Sequence, residues 1–211
     1  MKRLHLREEL ALYAAGHRRV AGLDEAGRGA WAGPVYAAAV VLPLERPDLL
    51  EALAGVQDSK QLTPTQREAV FPVILDVAEA VGIGWASADE IDALGILPAT
   101  RHAMARAIAR LTPPADALLI DHLRLPDIPL PQRAFPKADG ECLSVAAASI
   151  VAKVSRDHQM AVLDSVFSGY GFARHKGYGT PQHREALARL GPSPIHRMSW
   201  RPLRAGEEKC E

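Results

Sequence analysis

The sequence has little cysteine and no long hydrophobic run. Cys142 and Cys210 are too few and too far apart for a disulfide framework or a thiolate zinc site, so we expect a reducing compartment. Residues 1–10 (MKRLHLREEL) contain no apolar core of signal-peptide length, and no apolar run approaches the roughly 20 residues that cross a bilayer. These absences exclude a secreted disulfide scaffold and a membrane protein, and they predict a cytoplasmic location.

The chain also lacks an excess of charge of either sign. Lysine plus arginine number 25 and aspartate plus glutamate number 25, so the net charge favours neither an acidic nor a basic partner. A basic stretch nevertheless runs from Arg174 to Arg204, with Glu185 as its only acid. A polyanion would fit this stretch, and a solvated basic surface is the alternative. Its basic residues are Arg174, Lys176, Arg184, Arg189, Arg197, Arg201 and Arg204.

The length and the hydrophobic pattern predict one α/β domain. The chain has 211 residues, 48% of them hydrophobic, which suits a single domain over 1–211 with about 192–211 as a C-terminal extension. Strands come first and then alternate with helices, which favours an α/β sandwich with a mixed sheet. Strands are predicted at 20–24, 34–42, 81–87 and 117–121, and helices after Thr63 and at 87–90, 98–111, 143–163 and 181–190.

Three local patterns predict further details. A hairpin is the simplest link between the first two strands. Pro72 falls inside the helical pattern that follows Thr63 and should kink or interrupt that helix. Lys153 and Asp157 are four residues apart in the longest helical pattern, a spacing typical of an ordinary ion pair.

Two adjacent acids, Asp24 and Glu25, end the first apolar strand and are followed at once by Gly27-Arg28-Gly29. The loop resembles a dinucleotide fingerprint only weakly, because a β-like segment rather than a helix follows it. A hard divalent cation such as Mg²⁺ or Mn²⁺ explains the acids better, since it turns their repulsion into attraction. Side chains alternate along a strand, so the acids converge only if the chain bulges or leaves the sheet between them, which the glycines would permit.

Two further acids occupy positions that suit the same metal site. Asp121 ends another apolar strand, as Asp24 does, and Asp139 stands just before the long helix. Taken singly, either acid is explained as a cap, a turn residue or a surface acid, and for Asp139 alone the helix cap is the favoured explanation. Taken together, four carboxylates holding two cations form the arrangement that supports phosphodiester hydrolysis.

Six segments of the chain resemble one known family. In their order and spacing they are similar to the bacterial type 2 ribonucleases H, ribonuclease HII, over about 20–201. The resemblance implies a ribonuclease H fold, with a mixed five-stranded sheet flanked by helices and a helical C-terminal region. The segments are VAGLDEAGRG at 20–29, DSK at 58–60, LID at 119–121, KAD at 137–139, AAASIVAKVSRD at 146–157 and YGFARHKGYGT at 170–180.

The resemblance also implies roles for individual residues. It places four acidic metal ligands at Asp24, Glu25, Asp121 and Asp139. It implies that the backbone of Gly27, Arg28 and Gly29 contacts the ribonucleotide and reads its 2′-hydroxyl, and that Tyr178 stacks near the following deoxyribose. Lys60 and the basic C-terminal stretch are expected to hold phosphates.

The residues next to these predicted positions are less typical of the family, and Tyr178 itself also allows a structural role. Tyr178 can instead pack within its glycine-rich turn, and Ala30 and Trp31 depart from the family's usual residues after the loop. His122 adjoins Asp121 and has the chemistry of a metal ligand, but strand alternation is expected to turn it to the opposite face, so we interpret it as structural.

The sequence therefore predicts a metal-dependent endonuclease that cuts RNA in RNA–DNA hybrids and 5′ to ribonucleotides embedded in duplex DNA. The products implied are a 3′-hydroxyl and a 5′-phosphate, and two Mg²⁺ or Mn²⁺ ions are implied as cofactors. A monomer is the expected form. The alternatives are a hybrid-binding scaffold without catalysis and a DNA-junction resolvase or transposase on the same fold.

Overall fold

The structure, a computed structural model, describes residues 4–204. Residues 1–3 and 205–211, which include Cys210, lie outside the described residues. The strands are β1 (Val20–Ala26), β2 (Val35–Val41), β3 (Ala80–Ala86), β4 (Ala117–Asp121) and β5 (Gln132–Phe135). The helices are α1 (Arg7–Ala14), α2 (Leu49–Ala52), α3 (Pro64–Val77), α4 (Ala88–Leu94), α5 (Ile96–Ala109), α6 (Leu143–Val166), α7 (Phe172–His175), α8 (Pro181–Leu190) and α9 (Arg201–Arg204), with a 3₁₀ turn at Ala138–Gly140.

The five strands form one mixed sheet in the order β3-β2-β1-β4-β5. β1 pairs antiparallel with β2, and β2 with β3, whereas β4 runs parallel to β1 and β5 parallel to β4. β2 is buried along its whole length, as its run of alanine and valine predicts. The α/β class, the mixed five-stranded sheet and the pairing of the first two strands are confirmed.

Helices cover both faces of the sheet, and α6 comes especially close to β1. A Cβ atom added at Gly22 would lie 2.2 Å from the backbone carbonyl carbon of Ser144, so only glycine permits this approach. Ala146, Ala147 and the other small side chains at the start of α6 continue the contact. The beginning of α6 is thereby held against the end of β1, where the acids lie. The opposite face packs against α5.

The beginning of α3 and the end of α8 follow local sequence signals. Thr63 caps α3 through a reciprocal capping box with Gln66, and α8 ends at Gly191, whose φ of 70° favours glycine. Of the kink or interruption predicted at Pro72, the interruption is wrong, because α3 continues through this residue, and the kink stays a prediction. Pro72 is exposed, so water can satisfy the carbonyl that proline leaves without a donor, and the buried Ile74 anchors the helix. Across 4–204, no helix is long and apolar enough to span a membrane.

Candidate active site

Two of the predicted acids lie side by side because their strands are parallel. Leu23 of β1 is opposite Ile120 of β4, so Asp24 and Asp121 are the next residues along their strands at the same edge of the sheet. Residues in register on parallel strands point to the same face, which here is the face covered by α6. Asp24 is 5% exposed and Asp121 is half-buried. The pairing brings two carboxylates from distant parts of the chain to one place.

The third acid joins them from the 3₁₀ turn that precedes α6. Asp139 lies within this turn and is 3% exposed. The backbone N–H of Ala138 donates to Oδ1 of Asp121 at 2.8 Å, so the turn is tied directly to the end of β4. Asp139 is therefore not the helix cap that was the alternative for it, since the N-cap of α6 is Cys142.

Glu25 reaches the same end of the sheet without the expected distortion. The ladder continues regularly from Asp24 to Ala26, opposite Ala38 to Tyr36 of β2. The chain therefore neither bulges nor leaves the sheet between the two acids, although one or the other was expected if they were to converge. The chain leaves the sheet only at Gly27. By strand alternation the Glu25 side chain starts on the opposite face from Asp24, but its carboxylate still interacts with the charges of Asp121 and Lys60. The N–H of Glu25 donates to Oδ1 of Asp24 at 2.7 Å. Its own Oε1 accepts from Nη1 of Arg28 at 2.9 Å.

Burial and mutual repulsion act on three of the acids. Burial, followed by the charge of Glu25, raises the pKa of Asp24 well above its ordinary value. Burial also raises the pKa of Glu25, with Arg28 acting in the opposite direction. The pKa of Asp121 is raised by burial and then by the charge of Asp139. The ionised forms are thus disfavoured, and a cation would relieve this strain.

Protein cations lie beside two of the four acids. Nζ of Lys60 is 2.9 Å from Oδ2 of Asp139, although the lysine side chain is 76% exposed. The segment that carries Lys60 is anchored to α6 by a buried hydrogen bond of 2.8 Å between the hydroxyls of Ser59 and Ser149. Arg28 forms a similar ion pair with Glu25, with 2.9 Å between Nη1 and Oε1. These contacts partly offset the repulsion among the carboxylates.

The four acids fit a divalent cation by their chemistry. Within 4–204, no three acidic, histidine or cysteine side chains lie close enough together to hold a metal ion as they stand. However, Oε2 of Glu25 is buried without a hydrogen-bond partner, and burial raises the pKa of Asp24, Glu25 and Asp121. The donors are all carboxylate oxygens, which hard cations prefer. A cation would supply the missing partner and compete with Lys60 and Arg28.

The Gly-Arg-Gly loop combines one tightly packed glycine with one open glycine. Gly27 has φ of 91°, and a Cβ there would lie 1.9 Å from Nε of Arg156, so no other residue fits. Gly29 is exposed, and a Cβ there would meet nothing within 4 Å. The inner side of the loop is therefore held by the protein, and its outer side is accessible to a ligand.

Tyr178 lies beside this loop because its segment is docked on Trp31. The N–H of Trp31 donates to the carbonyl of Gly177 at 2.8 Å, and a Cβ at Gly179 would lie 2.2 Å from the Trp31 ring. The Tyr178 ring is half-buried, with the guanidinium carbon of Arg156 5.4 Å from its centroid and Nζ of Lys153 5.6 Å from it. The ring is packed in its turn and still has an accessible part.

The basic stretch divides into a surface and a buried part. Arg174, Arg184, Arg189 and Arg201 are exposed, as a phosphate-binding surface requires. Arg197 is fully buried and so does not belong to that surface. The three histidines of the stretch are buried as well. They are His175, His183 and His196, whose rings stack and tilt against one another.

Two remaining predictions from the sequence have different outcomes. Lys153 and Asp157 form the expected pair, with 2.8 Å between Nζ and Oδ1. His122 lies just beyond β4 with φ of 60° and is exposed, so strand alternation does not determine its direction. The argument from alternation therefore does not apply to His122, and its structural role stays a prediction.

Sequence reasoning missed Arg156 and Arg197. Their buried guanidinium groups donate hydrogen bonds to backbone carbonyls in and just after the loop. For Arg156 a signal was present, because it falls on the apolar side of α6, four residues after Ala152 and four before Met160, both buried. A charged residue at such a position needs buried partners. Nothing in the basic stretch distinguished Arg197 from its exposed neighbours.

A mixed five-stranded sheet that gathers acids at the ends of β1 and β4 and before α6 defines a nuclease of the ribonuclease H class. Comparisons with known proteins narrow the class. The sequence model of the family described as ribonuclease HII matches residues 21–202. The chain belongs to the ribonuclease HII family, and it is a ribonuclease H, an endonuclease acting on RNA–DNA hybrids.

Individual relatives match over most of their length. Ribonuclease HII of Roseiflexus castenholzii is 57% identical over 199 residues, which cover 93% of this chain and 88% of that protein. Ribonuclease HII of Geobacillus kaustophilus is 53% identical over 199 residues, covering 94% of this chain and 74% of that protein. The crystal structure of ribonuclease H2 from Pyrococcus horikoshii superposes with a TM-score of 0.75 at 29% identity, covering 90% of this chain and 98% of that one.

Proposed function

We propose that this enzyme, besides acting on RNA–DNA hybrids, cuts on the 5′ side of a ribonucleotide embedded in duplex DNA, leaving a 3′-hydroxyl and a 5′-phosphate. One observation carries the proposal. Asp24, Asp121 and Asp139 meet at one edge of the sheet, next to an open glycine loop docked against Tyr178. The site thus combines carboxylates that can hold the metal ions for phosphodiester hydrolysis with a loop and a tyrosine that can contact the sugar of the substrate.

In this proposal Asp24, Glu25, Asp121 and Asp139 are the catalytic acids and hold Mg²⁺ or Mn²⁺. When bound, one such ion would activate the attacking water and a second would stabilise the departing 3′ oxygen. The unpartnered Oε2 of Glu25 and the raised pKa values of Asp24, Glu25 and Asp121 support this assignment. Asp24 is the central member, since its carboxylate adjoins both Glu25 and Asp121.

Recognition of the ribonucleotide is proposed for the loop and the tyrosine. The 2′-hydroxyl is the group by which a protein distinguishes RNA from DNA at a given site. The backbone of Gly27, Arg28 and Gly29 can approach it, because Gly29 has no side chain and open space beside it. The ring of Tyr178 offers a platform on which a sugar can pack whatever the base.

The phosphates on either side would lie along basic groups. Lys60 stands at the metal site with a mostly exposed side chain, which suits a phosphate next to the cleaved bond. The exposed arginines of the basic stretch extend this positive surface. All the proposed groups come from one chain, which supports a monomer working as one catalytic unit over 1–211, with the segment from about 192 contributing to it. The cytoplasmic location stays a prediction.

A direct test uses a labelled duplex that contains one ribonucleotide, with an all-DNA duplex beside it, in magnesium, in manganese and in EDTA. We expect a single cut 5′ to the ribonucleotide in either metal, no cut in EDTA and none in the all-DNA duplex. The matched control is Asp24→Asn, which keeps the shape of the side chain and should lower activity by orders of magnitude while the fold remains.

Two rival functions give different results in this test. A hybrid-binding scaffold would bind the duplex equally well with and without metal and would not cut it. A junction resolvase or transposase on the same fold would cut the all-DNA substrate. Either result from folded protein would overturn the proposal.

A further inference from the structure

Arg197 makes an unusual set of contacts with the Gly-Arg-Gly loop. Its side chain is fully buried, and each of its three nitrogens donates to a backbone carbonyl of the loop region. Nη2 lies 2.7 Å from the carbonyl oxygen of Gly27, Nη1 lies 2.8 Å from that of Arg28, and Nε lies 3.0 Å from that of Gly33. One planar guanidinium therefore holds the first two residues of the loop together with Gly33, which lies four residues beyond it.

The backbone around Arg197 reinforces this contact. Its N–H donates to the carbonyl of Trp31 at 2.8 Å, the N–H of Gly33 donates to the carbonyl of Ile195 at 2.8 Å, and His196 forms a β-bridge with Ala32. The segment before α9 is thus paired with the loop as a short ladder. The loop cannot move without moving the segment that carries the arginine.

Arg156 of α6 holds the residues that directly follow the same loop. Its Nε donates to the carbonyl of Pro34 at 2.9 Å and its Nη2 to that of Ala32 at 3.2 Å. Its guanidinium also lies against the ring of Tyr178. Arg156 therefore touches both elements that the proposed function assigns to reading the sugar, although it is itself buried away from the surface.

The chemistry of these two arginines argues for positioning rather than for simple stability. A buried guanidinium is expensive to desolvate, and burial lowers the pKa of Arg197 to about 9. Both arginines donate to backbone carbonyls of residues 27–34 rather than to a carboxylate, and Nη1 of Arg156 is buried without a partner. Apolar residues would fill the same space at lower desolvation cost. Only a planar guanidinium group can hold several carbonyl groups in fixed directions at once.

We propose that Arg197, with Arg156, is a positioning residue that fixes the Gly-Arg-Gly loop relative to Tyr178 and the acids, so that cleavage depends on a guanidinium that does not touch the substrate. The inference rests on the proposed function of the loop. The inference means that the C-terminal segment around 193–200 contributes to recognition of the ribonucleotide and is more than an extension of the domain.

The test is Arg197→Lys, which keeps a positive charge but cannot bond three carbonyls at fixed angles. We expect folded protein with kcat on the single-ribonucleotide duplex lowered about 10- to 100-fold and KM changed much less, because a displaced loop misplaces the bound sugar. Arg106→Lys is the matched control, since Arg106 also donates to a backbone carbonyl, that of Trp85, but on α5 outside the site. It should retain wild-type kcat.

Each result decides between the proposed function and the positioning role. Wild-type protein that does not cut the duplex would overturn the proposed function, whatever the variants do. Wild-type protein that cuts, with a folded Arg197→Lys of unchanged kcat, would overturn the positioning role alone. If Arg197→Lys does not fold, Arg156→Lys takes its place with the same expectation. Failure of both to fold, by near-ultraviolet circular dichroism, would mean that the arginines serve only stability and would also overturn the inference.

Discussion

Lys60 forms an ion pair with Asp139 across the edge of the proposed metal site, with 2.9 Å between Nζ and Oδ2. The same contact raises the pKa of the lysine. The ammonium therefore occupies an oxygen that a metal ion would need. Lys60 and a divalent cation compete for one carboxylate, and the exposed lysine side chain is free to turn towards a phosphate when the cation arrives.

This competition predicts that Lys60→Met binds Mn²⁺ more tightly than the wild type in the absence of substrate. The gain should be about fivefold or less, since an ion pair whose lysine is mostly exposed contributes about 1 kcal/mol or less. KM for the duplex should rise at the same time, because a phosphate contact is lost. Isothermal titration with Mn²⁺ and steady-state kinetics measure the two effects.

Lys137→Met is the control for this variant, because it removes an exposed positive charge next to the 3₁₀ turn without removing the ammonium bound to Asp139. Its effect on Mn²⁺ affinity should be smaller. Weaker Mn²⁺ binding by Lys60→Met would show that the lysine assists the metal rather than competing with it.

The buried carboxylate of Asp24 predicts that Asp24→Asn is more stable than the wild type in metal-free buffer. Asparagine removes a buried charge that Glu25 and Asp121 repel, but it can still accept the hydrogen bond from the N–H of Glu25. A gain of about 1–2 kcal/mol is typical of relieving such a functional strain. It corresponds to a rise in Tm of about 2–4 °C for each kcal/mol in a chain of this size.

The gain should depend on pH in a defined direction. The pKa of Asp24 is raised in the folded state, so the wild type is destabilised once pH exceeds that raised value and both states are ionised. As pH falls towards the ordinary value of 3.8, folded Asp24 takes up a proton and the difference between the two proteins narrows. Thermal melts in EDTA at pH 8 and pH 5.5 measure this, and a gap that widens at pH 5.5 would contradict it.

The fold and the placing of acids near strand ends could be predicted because both leave local signals in the sequence, whereas the role of the acids stays a prediction. Alternating or continuous apolar runs specify strands, and acids at the ends of Val20–Ala26 and Ala117–Asp121 stand out against them. The regular pairing of Glu25 was not predictable, since the acids of one metal site were expected to share a face of the sheet. The buried role of Arg197 was hidden too, because burial of one arginine among many depends on contacts 164 to 170 residues away along the chain.

Substitutions of Tyr178 should show whether its ring or its hydroxyl matters more for activity. Tyr178→Ala should lower kcat/KM for a single embedded ribonucleotide about 10- to 100-fold, since an aromatic platform contributes about 1–3 kcal/mol for each stacked group. Tyr178→Phe keeps the ring against the guanidinium of Arg156 and should lose less. Kinetics on the one-ribonucleotide duplex, with melting curves as the check on folding, distinguish the variants. Equal melting and equal activity of Tyr178→Ala would remove the residue from the site.

The backbone of Tyr178 is also hydrogen-bonded to a pair of neutral histidines, His183 and His196, of which His183 makes the direct contact. The carbonyl of Tyr178 can only accept, so Nδ1 of His183 carries a proton and donates to it at 3.0 Å. The N–H of Ser193 donates to Nδ1 of His196 at 2.8 Å, which leaves the proton of His196 on Nε2. That proton fits the free Nε2 of His183 at 3.0 Å, so both rings are satisfied in their neutral forms. A second proton on His183 would place two N–H groups against each other.

This arrangement predicts that the enzyme loses stability in mild acid through His183. Burial lowers the pKa of His183 to about 4, whereas the unfolded chain titrates near 6.5, so unfolding takes up a proton between these values. The stabilisation is complete above 6.5 and is lost as pH falls towards 4, by at most about 3 kcal/mol. The difference in free energy of unfolding between wild type and His183→Gln, measured in urea, should therefore shrink from pH 7.5 to pH 4.5. His102→Gln, at an exposed position on α5, controls for the substitution itself. A difference that stays constant with pH would mean that folded His183 is not held in its neutral form.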